Sequence, residues 1–414
     1  MKIRKTLLNI WATIFLVGCL QVSCVPTSPP PATGLPTGSG LSFTRSTTGI
    51  TPLPLEVTSS PLVPPENVMS YRCMEIAPTL YTDMQMQGSL ALFEGNHSIL
   101  YDVDTGLKRP LDGKGDFKVS PDRKWLASFY VESNTKIWLS VESVDGKKQY
   151  KIPWEDGWGS LQGWLDGERV WINLEQAPGL VIINPFTGDK HEVIPDFPGV
   201  ETIAQEGVMF PVEFNSDQSL AFYPRIENGG PNAIYSYAVL WDVKANRVVA
   251  KVEEGSKLHG RFTSVWSLDG KSIIVAIDNK FKQIENEIAE LYSLGQDGQI
   301  DKLTHLEDYF TNALILTASL SPDGKQVAIS LFLQPSPYQA AQLAILNLET
   351  RQLINYCIPA DTTPVWSPDG RYIAVSNYST QQAIGHAYIL DTEQGRAARI
   401  ADQLEPQGWM IGTP

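Results

Sequence analysis

Val365-Trp366-Ser367-Pro368-Asp369-Gly370-Arg371-Tyr372-Ile373-Ala374-Val375 reads as a strand, a turn and a second strand. Proline pre-sets φ near about −65° at the second turn position, aspartate bonds its own backbone in an Asx-type turn, and glycine supplies the positive φ that returns the chain as a hairpin. The residues after the turn run apolar, as those of a strand packed between neighbours do. The pattern recurs at Leu320-Ser321-Pro322-Asp323-Gly324, at Val265-Trp266-Ser267-Leu268-Asp269-Gly270 and, without the glycine, at Val119-Ser120-Pro121-Asp122-Arg123. Gly163-Trp164-Leu165-Asp166-Gly167 and Phe214-Asn215-Ser216-Asp217 are degenerate copies.

The turn aspartates fall at 122, 166, 217, 269, 323 and 369, so the period is 44 to 54 residues. That spacing is the signature of propeller blades. Each unit continues with a third strand and a later turn, such as Asp102-Val103-Asp104-Thr105-Gly106 or Asp391-Thr392-Glu393-Gln394-Gly395, and then a short fourth strand. Four strands per unit make a blade. Six copies predict six blades beginning near residues 116, 160, 210, 262, 316 and 364. Ahead of them, Gly88 to Leu111 supplies the second, third and fourth strands of a blade but no first. At the other end, Gln407-Gly408-Trp409-Met410-Ile411 supplies a first strand and nothing after it. The expectation is therefore an all-β fold: one β-propeller of seven four-stranded blades, closed by the C-terminal strand, with no open sheet edge left at the seam. A ring of six or eight blades is the alternative.

The Ser-Pro-Asp-Gly turn with Trp before the Ser resembles the TolB-type (WD40-like) propeller repeats, over roughly residues 88–413. The resemblance implies architecture. Such repeats occur in envelope interaction proteins, in the non-catalytic propellers of prolyl oligopeptidase-like enzymes and in a lyase acting on oligogalacturonate, so function has to come from the site.

The chain opens with Lys2, Arg4 and Lys5, followed by an apolar run to Gly18 that is too short to span a bilayer. This reads as a secretory signal peptide. Leu16-Val17-Gly18-Cys19 resembles the bacterial lipobox, which implies cleavage before Cys19 and lipidation of its thiol. Ordinary cleavage beside a coincidental cysteine is the alternative, and Cys24 is a weaker lipidation candidate because Gln21 stands where Leu is expected. Val25 to Glu66 is rich in Pro, Thr, Ser and Gly and predicts an unstructured, extended tether with a reach of up to about 130 Å. The expected domains are 1–18 signal peptide, 19–66 lipidated Cys and linker, and 67–414 propeller. Cys73 and Cys357 fit a disulfide in an oxidising compartment, or two buried free thiols.

Apolar residues make up 43% of the 414 and charged residues 19%, which suits a large packed core. The formal net charge is −14, and loss of the three basic signal-peptide residues makes it more negative. Such acidity argues against nucleic acid and against adsorption on anionic lipid, leaving the anchor as the expected membrane attachment. No Gly-x-Ser-x-Gly elbow is present, which argues against a peptidase. His97, His191, His259, His305 and His386 have no short metal-ligand spacing, so no metal and no cofactor is expected. The ring still allows His259, His305 and His386 to converge on its axis, which keeps a lyase in play.

In a propeller the loops joining second to third strand, and fourth to next first strand, share the face opposite the Ser-Pro-Asp-Gly turns. The candidate binding face comprises Trp154, Trp158, Arg225, Glu307, Asp308, Tyr309, Phe310, Tyr338 and Tyr378. Exposed aromatics anchor partners or stack on sugars, whereas buried ones pack between blades. The expectation is an exported, lipid-anchored, monomeric propeller that recognises a protein in the cell envelope without catalysis. The alternative is a carbohydrate-binding propeller or a polysaccharide lyase.

Overall fold

The computed structural model describes residues 69–412 except 95–96, 112–116, 134–135, 156–158, 175–179, 194–211, 227–235, 253–262, 279–287, 335–339, 378–384 and 403. Its strands form seven sheets, each with a core of four antiparallel strands. Six of these follow the chain, their first strands being Lys118–Val119, Gly159–Trp164, Glu213–Phe214, Ser264–Trp266, Asn312–Leu320 and Val365–Trp366. The remaining one, blade 1, takes its first strand from the C-terminus: Glu405–Met410 pairs antiparallel with Ser89–Glu94, with Leu90 opposite Trp409. Blades 2 to 7 are numbered along the chain from there. First strands of blades 1 and 2, 2 and 3, 5 and 6, 6 and 7, and 7 and 1 touch one another, which places them around the axis.

The turn chemistry is local and repeats with little variation. In blade 7 the Ser367 hydroxyl donates to Asp369 and accepts from the Tyr372 amide (2.8 Å), while Asp369 accepts from the Arg371 amide (3.1 Å). Ser120 with Asp122, Ser267 with Asp269 and Ser321 with Asp323 build the same knot. Each such hydrogen bond stabilises by about 1 kcal/mol, and together they fix the hairpin geometry. Glycine at the fourth position has a packing reason beside its backbone freedom. Gly270, Gly324 and Gly370 all have positive φ and pack against Asn215, Leu268 and Pro322 of the turn one blade earlier, and at Gly324 a Cβ would come within 2.9 Å of the Leu268 side chain. Where the earlier turn is missing or shortened, Arg123 (φ 59°) and Gln218 (φ 60°) occupy the same position.

In blades 3 and 7 the tryptophan before the turn staples its blade to the preceding one. The indole N–H of Trp366 donates to the Ser319 carbonyl in the preceding blade, and that of Trp164 donates to the Lys118 carbonyl. Between sheets lie seven buried apolar clusters, one per blade interface. Leu139, Val170 and Ile172 belong to the interface of blades 2 and 3, and Ala91, Leu126 and Met410 to that of blades 1 and 2. Seven interfaces close the ring.

Two blades depart from the four-strand expectation. Met69–Tyr71 adds a parallel fifth strand to the outer edge of blade 6, against Leu353–Pro359. Ile76–Ala77 does the same to blade 7, against Arg396–Asp402. Between these two short strands, Cys73 is disulfide-bonded to Cys357, with Cα atoms 4.9 Å apart. Arg396 then pairs with Asp83 (2.9 Å) and lies over the Tyr81 ring. The chain is thus strapped across blades 6 and 7 before it starts blade 1.

Candidate functional site

Antiparallel order within each blade puts the connections between second and third strands, and from each fourth strand to the next first strand, on one face. Connections of nine residues or more on this face span 194–212, 227–235, 253–263, 279–288 and 303–311, from blade 3 to blade 6. Six residues of the expected binding face are described, Trp154, Arg225, Glu307, Asp308, Tyr309 and Phe310, and each belongs to, or stands beside, a connection on this face. Trp158, Tyr338 and Tyr378 lie outside the described residues, as do His259 and the anchor candidate Cys19. Arg225 is on the strand Leu220–Ile226, opposite Tyr237.

Trp154 and Phe310 are buried. Trp154 ends the fourth strand of blade 2 and packs on Phe129, ring centroids 5.5 Å apart, inside the cluster between blades 2 and 3. Phe310 belongs to the cluster between blades 5 and 6, and Tyr309 packs against the same cluster from its half-exposed position. Trp154 and Phe310 thus form the floor of the face, while Tyr309 keeps part of its surface outside. A residue is drawn inward here because the fourth strand and the joint after it lie directly against the next blade.

The joint between blades 5 and 6 is the best-built part of this face. A single 3-10 turn, Leu306–Asp308, is held from below by Glu290, which is fully buried. One Glu290 oxygen accepts from the Glu307 amide (3.0 Å), and the other accepts from the Thr304 hydroxyl, whose oxygen accepts from the Leu291 amide. Lys302 Nζ lies 2.7 Å from Glu307 and 3.4 Å from Glu290. Burial works to lower the Lys302 pKa, but the Glu307 hydrogen bond and the Glu290 charge outweigh it, and the ammonium is held above its ordinary value. Glu307 is therefore part of a structural clamp, Asp308 is exposed, and Tyr309 is half-exposed beside it.

A site residue not anticipated from sequence is Glu213, on the first strand of blade 4. Burial pushes its carboxyl up to about 7, against the opposing pull of the Ser264 hydroxyl, which donates to it at 2.6 Å from the first strand of blade 5. A carboxyl that titrates near neutrality beside a ring axis has the protonation range of an acid–base group. A cavity of about 290 Å³ opens between the first strands of blades 1, 2, 3 and 7, with Lys118, Gly163, Val365, Glu405 and Gln407 in its wall. Among the described residues no group of three His, Cys, Asp or Glu side chains converges as a metal site. His386 is bonded to Asp402 (2.8 Å) on the outer strands of blade 7, and His305 is exposed at the blade 5–6 joint.

No family model matches this sequence, and no curated protein matches it. Solved structures match in fold. An oligogalacturonate lyase in complex with manganese is 13% identical over 77% of this chain and 86% of its own, with a TM-score of 0.52. An oligogalacturonate lyase from Vibrio parahaemolyticus is 12% identical over 76% of this chain and 86% of its own, with a TM-score of 0.51. A periplasmic gluconolactonase from Pseudomonas aeruginosa is 13% identical over 79% of this chain and all of its own, with a TM-score of 0.47. The first two likenesses establish the propeller fold and carry no chemistry across.

Proposed function

We propose that this chain is an exported, lipid-anchored TolB-type propeller that recognises a protein of the cell envelope through its loop-rich face, without catalysis. The observation that carries the reading is the strap. Two parallel edge strands, a disulfide and the Arg396–Asp83 pair fasten the chain to the ring just after the Pro-rich tether. Such a fastening suits a module held at a distance from a membrane, because a pull on the tether is spread over two blades. The long loops then stand on the one face whose connections vary, while the opposite face is a ring of conserved-geometry turns. A Cys19→Ser variant should move from the membrane fraction to the soluble exported fraction. Retention in the membrane would contradict the anchor.

A second reading, a carbohydrate-binding or lyase propeller, is favoured by Glu213 and by the loop aromatics with nearby acids. It predicts saturable glycan binding, and in its catalytic form turnover of an acidic oligosaccharide that Glu213→Gln abolishes. Turnover of that kind would displace the first reading.

A further inference from the structure

Ring closure leaves blade 1 without a hairpin turn between its first and second strands, because the first strand comes last in the ring's sequence and the second comes first. In blades 4 to 6 this turn packs on the turn of the next blade. At the seam that partner is absent, and a cavity of about 560 Å³ lies there, bordered by Gly88, Asp102, Asp104, Pro368, Asp369 and Ile411.

Comparison with blade 7 shows what the cavity lacks. Asp102 and Asp391 are equivalent: Ser89 lies opposite the one and Tyr372 opposite the other. Each begins the later turn of its blade, and each Oδ1 accepts two backbone amides, from Asp104 and Thr105 or from Glu393 and Gln394. The Val103 amide bonds the Gly88 carbonyl just as the Thr392 amide bonds that of Arg371, so Gly88 is the counterpart of Arg371. In blade 7 the Arg371 guanidinium donates to both oxygens of Asp391, at 3.2 and 2.8 Å. In blade 1 there is no side chain to do so. Gly88 has φ +97°, and a Cβ there would come within 2.2 Å of the Met410 carbonyl oxygen, so closure itself excludes one.

The consequence is a buried carboxylate with one oxygen unused. Asp102 is 1% exposed, and its Oδ2 has no hydrogen-bond partner among the described residues. A buried carboxylate oxygen left without a donor is unfavourable, and a guanidinium is the group that matches it geometrically. Asp104 and Asp369 add negative charge at the rim. The cation at the seam, Arg123, is used otherwise: it donates to the Trp366 carbonyl at 2.8 Å.

We propose that this seam cavity binds the guanidinium of an arginine side chain supplied by a partner, which takes at Asp102 the place that Arg371 holds at Asp391. The site is on the turn face, opposite the loop-rich face, and does not rest on the function proposed above.

Calorimetric titration of the full chain with N-acetyl-arginine amide tests this. The expected result is saturable one-to-one binding, at least tenfold weaker for N-acetyl-citrulline amide, which keeps the shape and loses the charge. Asp102→Asn should abolish it. Asparagine keeps the Oδ1 acceptor for the Asp104 and Thr105 amides, so the unliganded melting temperature should be unchanged or raised. Asp104→Lys, on an exposed side chain, offers a second variant that places an ammonium at the mouth and should weaken binding at least tenfold. No saturable binding, or equal binding by the citrulline amide or by Asp102→Asn, would overturn the proposal. Guanidinium ion binding as tightly as the arginine amide would overturn an arginine side chain as the source.

Discussion

At the scale of single residues, the fold is written in side chains that do their work within five positions. Ser, Asp and Gly of each turn satisfy one another and the neighbouring backbone, which is why the turns are legible from sequence. Arg123 is the informative exception. It holds the left-handed position where three other turns have glycine, and its guanidinium crosses the seam to the Trp366 carbonyl. Arg123→Ala should cost about 1.5–3 kcal/mol in denaturant unfolding, the loss of a charged hydrogen bond to a carbonyl. A cost near zero would mean that closure does not use it. Glu213 was not legible, because its burial is set by a blade 51 residues away, through Ser264. Its raised pKa gives a definite sign. The folded state holds the proton more tightly than the unfolded chain, whose carboxyl titrates at 4.5. The stabilisation is thus full below pH 4.5 and is lost as pH rises through about 7. The turn carboxylates act oppositely. Asp145 is held down to about 2, mainly by the Ser143 hydroxyl, and Asp323 is lowered mainly by the Ser321 hydroxyl, so their contribution is lost as pH falls below the ordinary carboxylate range. Stability measured against pH should therefore rise from acid, peak near 4.5 and decline toward 7. Glu213→Gln should remove the decline and leave the acid limb unchanged. A decline that persists in the variant would assign it to another group.

At the scale of elements, the seven blades were readable from the repeat, and the strap was not. Met69–Tyr71 and Ile76–Ala77 are three and two residues long, show no alternation, and find parallel partners about 280 and about 320 positions away in sequence. Nothing local marks them. Their hold on the ring is a disulfide closing a separation of 284 residues, a constraint of about 5–6 kcal/mol on the chain-entropy account. The double variant Cys73→Ser, Cys357→Ser, which leaves neither bridge thiol behind, should lose amide protection over Met69–Ala77 first and most. Amides of blade 3, which the strap does not touch, should keep their protection at the same temperature. Equal loss in both regions would show that the strap and the ring open as one unit, and no loss would show that the edge strands hold alone. The aromatics of the loop-rich face divide by the same logic of elements. Trp154 and Phe310 sit where a fourth strand or the joint after it meets the next blade, and burial follows from that position.

At the scale of the whole molecule, one asymmetry organises the ring. One face carries tight turns of nearly uniform geometry. The other carries connections as long as 194–212 and, at the blade 5–6 joint, a turn clamped by buried Glu290 that displays Asp308 and Tyr309. The seam interrupts the uniform face once, at Asp102. The alternation of tight turns with long connections is visible in sequence, so the two faces could be told apart there. Which loop residues stay outside could not, because that depends on packing between units far apart in the chain. The central claim, recognition by the loop-rich face, is tested most directly by affinity capture from a detergent extract of the native envelope with three full-length baits. These are the unmodified chain, an Asp308→Lys, Tyr309→Ala variant, and Asp104→Lys on the turn face. The account predicts a partner held by the first and third baits and lost from the second. A partner held equally by the second bait, or lost only from the third, would contradict it.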